Sequence, residues 1–282
     1  MKNNNKADTT IKFVDKALTY ISQHANLDNP EEVKQFIANK PVTNGTKKYY
    51  CIAYNRYCQY YGIQWQQPKY KAKAKNRRIP TTKQLEMLIA RASPRLSLKL
   101  RLSKETGLRP IELCTLKVKD IDTDQRLIYP TTAKNGSART LKISNNLNMA
   151  LQNHININKL NQNDKLFKTT PSNYAHSYLR MRNNLAEKLN DQPLKNIRLY
   201  DFRHHFATML YHKTRDILYV KQQMGHKSID TTLIYVQLIN LTEEDEYTCK
   251  TATTIKEATD LLENGFTYIQ DIDGIKIYRK RK

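Results

Sequence analysis

The 282-residue sequence predicts a mainly α-helical fold with small β-hairpins, an α+β chain in two principal parts. Three observations point there. Apolar residues recur at three- and four-residue spacing through most of the chain, which is the period of an amphipathic helix. Asn135-Gly136 and Asp273-Gly274 each stand between β-prone runs, and such pairs favour the tight turn of a hairpin. Residues 68 to 80 lose this periodicity and gather basic side chains, which divides the chain.

The elements follow in order. Ile11, Val14, Leu18 and Ile21 mark a first helix, and Pro30 opens a second over "PEEVKQFIANK". A third, "KKYYCIAYNRYCQYYGI", carries Tyr50, Tyr54, Tyr57 and Tyr61 on one stripe, read as packing core. These helices form a module over residues 1–67. The segment 68–80, with Lys69, Lys71, Lys73, Lys75, Arg77 and Arg78, reads as a basic linker. A second domain spans 81–240, opening with the helix "TTKQLEMLIARA" and including the hairpin candidate "RLIYPTTAKNGSARTLKIS". The asparagine-rich stretch 145–163 reads as helix plus loop. An α+β appendage over 241–282 begins with a capping box, Thr254 with Glu257, and continues into a hairpin around Asp273-Gly274.

Composition narrows the function. The net charge is +22, and residues 240–282 hold 9 acidic and 7 basic groups, so the remainder carries +24. Such an excess suits a polyanionic partner, because each neutralised phosphate releases condensed counterions. A plain solubility charge is the competing reading. No apolar run is long enough to cross a bilayer, and the amino terminus lacks the apolar core of a secretory signal. The four cysteines form no CxxC pair and no Cys/His ligand spacing, which predicts neither zinc site nor disulfide framework. The expected compartment is the cytoplasm, in association with the nucleoid.

Four local patterns carry candidate chemistry. In "TGLRPIEL", Pro110 places Arg109 at a helix start, where backbone N–H groups already favour an anion, and Glu112 is positioned to hold its guanidinium. Lys134 stands beside the Asn135-Gly136 turn, a tip from which an ammonium can reach into a groove. In "LYDFRHHFATML", Asp201 is read as the cap of a helix with Arg203 in its first turn. His204 and His205 diverge by about a third of a turn, so they make poor joint metal ligands and are read as structural. In "RDILYVKQQMGHKSIDTTLIY", Gly225 stops a helix, His226 follows it, and Asp230 is read as the cap of a further helix carrying Tyr235.

Taken together, "TGLRPIEL", "AKNGSART", "FRHHFAT" and "MGHKSIDTTLIY" resemble, in order and spacing, the motifs of the tyrosine recombinases, the phage-type integrase and Xer-like DNA breaking–rejoining enzymes. The resemblance covers roughly residues 80–240. The preceding module looks like that family's core-binding domain, and the tail is similar to those of archaeal members. The resemblance implies that Tyr235 attacks a DNA phosphodiester to leave a 3′-phosphotyrosyl enzyme. Arg109 and Arg203 would bracket the phosphate, His226 would bond to it, and Lys134 would protonate the departing 5′-oxygen. Glu112 would support Arg109. It further implies a double-stranded DNA partner with a specific recombination site, a tetramer assembled on that DNA, and no metal or cofactor. One position departs: the family commonly has histidine three residues before the second arginine, and here that residue is Tyr200.

The residue types suit the chemistry. Two guanidiniums, charged at any physiological pH and fork-shaped, can hold both free oxygens of a phosphodiester while negative charge builds. No GxxxxGK[ST] loop or acidic two-metal cluster is present. Two other readings stay open at this stage: a type IB topoisomerase-like activity, and a DNA-binding relative without catalysis.

Overall fold

The computed structural model describes residues 8–71, 79–133, 136–239, 247–272 and 274–281. The chain divides into two compact units, Met1–Asn76 and Arg77–Lys282. Its fold is mainly helical with two small antiparallel sheets, the class expected from the sequence.

The first unit holds α1 (Asp8–Ser22), α2 (Pro30–Asn39) and α3 (Asn44–Tyr61). Asn29 caps α2 by accepting the Glu32 N–H, and Thr43 caps α3 by accepting that of Thr46. Val14, Ala17 and Ile21 of α1, Val33 and Ile37 of α2, and Cys51, Tyr54 and Cys58 of α3 are buried. The tyrosine stripe is core in its middle only. Tyr54 is fully buried and donates to the Leu27 carbonyl at 2.8 Å, Tyr50 and Tyr57 pack against the core, and Tyr61 is exposed. Trp65 meets Tyr54 edge-on at 4.7 Å. Beyond it, Lys69 and Lys71 are exposed and outside regular structure, while the Asn44 side-chain amide donates to the Lys71 carbonyl. Lys73, Lys75, Arg77 and Arg78 lie outside the described residues.

The second unit begins with α4 (Thr82–Arg91), capped by Thr81 and Gln84, and continues with α5 (Pro94–Thr106) and α6 (Pro110–Thr115). Strands β1 (Ile121–Asp122), β2 (Leu127–Ile128) and β3 (Leu141–Lys142) form a sheet in that order. The expected hairpin pairing exists, with Leu127 opposite Lys142 and Ile128 opposite Leu141, but it is two residues long. Residues 129–133 and 136–140, between these strands, lie outside regular structure, and Asn135 of the expected turn lies outside the described residues. Helices α7 (Asn145–Ile157), α8 (Pro171–Lys188), α9 (Asp201–Thr214), α10 (Ile217–Met224) and α11 (Asp230–Ile239) follow. The largest core cluster joins α4 to α9, including Leu85, Leu100, Leu113, Tyr174, Tyr178 and Phe202. A second joins Ala207, Val220, Met224 and Tyr235, and so fixes α9, α10 and α11 as one group.

The tail forms β4 (Tyr247–Ala252), α12 (Ile255–Glu263), β5 (Thr267–Ile272) and β6 (Ile275–Arg281). The Thr254–Glu257 capping box and the β5–β6 pairing match the sequence reading. Strand β4 was not expected; it pairs along β6, which becomes the middle strand in the order β4-β6-β5. Ala252, Ala258, Leu261 and Tyr278, with Phe266, form a separate small core. No helix among the described residues is long and apolar enough to cross a membrane.

Candidate active site

The site is assembled from helix ends. Helix α5 stops at Gly107, whose φ of +61° sits in the left-handed region that favours glycine. Pro110 then opens α6, leaving Arg109 extended at its cap. Glu112 in the first turn accepts both the Arg109 backbone N–H at 2.9 Å and its guanidinium at 2.8 Å. Oε2, the oxygen that takes the backbone N–H, also accepts from Arg139 Nη2 at 2.7 Å, while Oε1 takes the Arg109 guanidinium. The Glu112 and Arg139 side chains are both fully buried. Burial by itself would raise the Glu112 carboxyl, but the bonds and charge of Arg139 and the bonds from Arg109 outweigh it and hold it down at about 2.

Arg203 lies in the first turn of α9 and is 1% exposed. One guanidinium nitrogen donates to the Gly107 carbonyl, the other to that of Met224 and toward His226 Nε2 at 3.2 Å. Its Nε, like that of Arg139, is buried with no hydrogen-bond partner among the described residues. Burial and, next, the nearby Arg109 charge pull its pKa to about 10, which leaves it a cation at neutral pH. Asp201 does not cap α9 as expected; Tyr200 holds the cap position, and the Asp201 carboxylate instead accepts the Arg198 N–H at 2.7 Å.

Gly225, at φ +60°, ends α10 and turns the chain so that His226 faces Arg203. Because an Arg203 N–H points at Nε2, that nitrogen is the acceptor, and Nδ1 carries the proton toward Thr232 Oγ1 at 2.9 Å. Burial and then the charges of Arg203 and Arg109 lower His226 to about 4, so the ring is neutral at physiological pH. The Tyr235 ring lies parallel to it, with centroids 6.5 Å apart and an interplanar angle of 12°. Tyr235 is 2% exposed, and its hydroxyl is 3.1 Å from His204 Nδ1. Asp230 is the first residue of α11; its N–H is accepted by Ser228 Oγ, and its carboxylate accepts from that hydroxyl at 2.9 Å.

The structure thus brings Arg109, Glu112, Arg203, His226 and Tyr235 into one cluster. Tyr200 touches that cluster's edge: it is 42% exposed and packs edge-on against His204 at 5.2 Å. Lys134 lies outside the described residues. Gly136 and Ser137 lie against the site, since the Ser137 N–H reaches the Gly225 carbonyl and a Cβ at Gly136 would lie 3.6 Å from Arg109 Nη1. Lys69 and Lys71 belong to the first unit.

Sequence reasoning missed two residues. Arg139 shares Glu112 with Arg109, and its guanidinium lies where a Cβ on Gly225 would collide with it. Glu112 flanked by two basic motifs was the available signal. His204 was read with His205 as structural, but the two rings diverge to different partners, His204 to Tyr235 and His205 Nε2 to Thr82 at 3.1 Å.

Comparison with known proteins places this geometry. The model of the phage integrase family matches residues 79–240, more than half of the chain and all the described residues of the cluster. The tyrosine recombinase XerA of Saccharolobus solfataricus is 28% identical over 212 residues, covering 75% of this chain and 69% of that protein. XerH of Campylobacter jejuni is 32% identical over 140 residues, covering 48% of this chain and 39% of its own length. Among solved structures, the Tn1549 transposon integrase in complex with transposon right-end DNA superposes with a TM-score of 0.66 at 16% identity, over 93% of this chain and 95% of that one. A lambda integrase dimer bound to a core site gives 0.62 at 18%, over 86% and 92%. Both share the fold. The chain is therefore a DNA strand breaking–rejoining enzyme by class. It belongs to the phage integrase family, the tyrosine recombinases.

Proposed function

We propose that this chain is a site-specific DNA recombinase that cuts and reseals DNA through a 3′-phosphotyrosyl intermediate on Tyr235. The observation that carries this reading is the cluster in which Arg203 meets His226 at 3.2 Å, the Arg109 charge bears on both, and the Tyr235 ring lies parallel to that of His226. The buried Arg203 Nε, without a hydrogen-bond partner among the described residues, adds a donor for a phosphate oxygen.

The chemistry runs from these groups. Arg109 and Arg203 hold the non-bridging oxygens, and donors preplaced for a developing oxyanion are each worth about 10²–10³ in rate. Both are held by buried partners, Arg109 by Glu112 and Arg203 by two carbonyls, so little reorganisation is required as charge builds. Tyr235 attacks phosphorus, the 5′-oxygen leaves with a proton from Lys134, and the phosphotyrosyl ester keeps the energy of the broken bond. A second DNA hydroxyl reverses the attack. The reaction requires no metal and no nucleotide cofactor.

The partner is double-stranded DNA carrying a recombination site. Both units bind it, with the basic segment from Lys69 to Arg78 along its phosphates. The first unit, 1–67, acts as the core-binding module, 81–240 as the catalytic domain, and four copies assemble on two duplexes. Support comes from the +24 carried outside the tail and from relatives solved on DNA. The presence together of Arg109, Arg203, His226 and Tyr235 in one cluster favours catalysis over a DNA-binding role alone.

The test is trapping. A library of nicked duplexes with randomised sequence lets the 5′-hydroxyl fragment diffuse away, so a competent tyrosine becomes stranded on DNA. Covalent protein–DNA that survives denaturation, with one sequence enriched among the trapped strands, is expected. DNA binding with no covalent product would leave only the binding role.

A further inference from the structure

We infer that His204 is the base that takes the phenolic proton of Tyr235, and so fills a role left open by Tyr200. The inference rests on Tyr235 as nucleophile and extends that reading to one more residue.

The geometry narrows the choice. Arg109, Arg139 and Arg203 have no lone pair to offer a proton. Both Glu112 oxygens accept from guanidiniums, in a carboxylate held far below neutral pH. His226 presents its Nε2 to Arg203 and its Nδ1 to Thr232. Tyr200 packs edge-on against the His204 ring. Among the described contacts, His204 Nδ1 lies 3.1 Å from the Tyr235 hydroxyl, within the reach required of a general base. The placement is also fixed by the helix. His204 follows Arg203 directly on α9, so the segment that presents a guanidinium to the phosphate presents the imidazole to the phenol.

The step balances. Tyr235 Oη–H gives its proton to His204 Nδ1 as the Oη–P bond forms and the P–O5′ bond breaks. The departing O5′ takes a proton from Lys134 or, failing that, from water. On resealing, the incoming 5′-hydroxyl loses its proton to the same donor group, and His204 returns its proton to the released phenolate.

Two measurements on the full chain test this. With a nicked duplex of the sequence recovered by trapping, His204→Ala and His204→Asn are expected to form the covalent adduct at least about 10²-fold more slowly at unchanged DNA affinity. Added imidazole is expected to restore adduct formation in His204→Ala. Wild-type rates in His204→Asn, or a slow His204→Ala indifferent to imidazole, overturn the proton transfer. Should these variants fold poorly, the second measurement needs no change at His204: the ¹⁵N resonance of its Nδ1 is compared between wild type and Tyr235→Phe. A shift is expected, and an unmoved resonance overturns the contact. Adduct formation by Tyr235→Phe itself would instead overturn the nucleophile assignment.

Discussion

At the residue scale, Glu112 is the position on which most depends. Its two oxygens fix Arg109 and Arg139, and Arg139 in turn lies against Gly225 next to His226. Removing one partner of a buried ion pair leaves an uncompensated charge and costs about 3–5 kcal/mol. Glu112→Gln is therefore expected to lower stability by roughly 3 kcal/mol, read as a fall in Tm of about 6–12 °C, and to slow cleavage because Arg109 is no longer held. The acid limb of stability carries the same signature. The Glu112 carboxyl titrates near 2 when folded, below its ordinary value of 4.5, so its contribution is complete above pH 4.5 and drains away toward pH 2. His226 and His205 are each lowered to about 4, burial being the main cause. They are kept neutral when folded, so stability is complete above about pH 6.5 and erodes as the pH falls through 4. Denaturant melts across pH 2–7 are expected to show both losses, with the segment below pH 4.5 flattened in Glu112→Gln.

At the element scale, helix ends set the site, and glycine sets two of those ends. Gly107 has φ +61°, and an added Cβ would drive into the Phe206 ring; its carbonyl also accepts from Arg203. Gly107→Ala combines backbone strain with overpacking, each worth about 1–3 kcal/mol, and is expected to reduce both Tm and cleavage rate. Unchanged values on both counts would remove Gly107 from the account. These helix boundaries were legible because proline, glycine and capping residues act locally: Pro110, Gly225 and Thr254 are each read from their own neighbourhood. What depended on distant partners was not. Strand β4 forms only by lying along β6, and Arg139 becomes buried only by meeting a carboxylate 27 positions earlier. The pairing of β2 with β3 was legible, but its length was not, since Ser137, ahead of β3, bonds to the Gly225 carbonyl and not across the sheet. Helix α5 shows a further conflict: Leu96, Leu98, Leu100 and Leu102 alternate as a strand would, yet form a helix. At 100° per residue that spacing populates two opposite faces, which suits a helix packed among α4, α7 and α9.

At the scale of the whole molecule, charge and helix order were the legible features. The cluster of Arg109, Arg203, His226 and Tyr235 draws on residues 126 positions apart, and only the resemblance linked them before the fold did. The +24 outside the tail gives a prediction of its own. Affinity for a duplex of arbitrary sequence, followed by fluorescence anisotropy, is expected to fall about 10³-fold or more between 50 and 200 mM salt, as for proteins that neutralise 6–10 phosphates. Lys69→Ala with Lys71→Ala is expected to lessen that slope by about one to two in log–log units. A salt-independent affinity would contradict a phosphate-led interface. The central claim, however, is that one phenol among 18 becomes joined to DNA. Mass spectrometry of peptides from the trapped adduct measures this directly. A nucleotide 3′-phosphate is expected on the peptide that contains Tyr235, and its loss is expected in Tyr235→Phe. A nucleotide carried on Tyr200, or on any residue other than Tyr235, would contradict that claim.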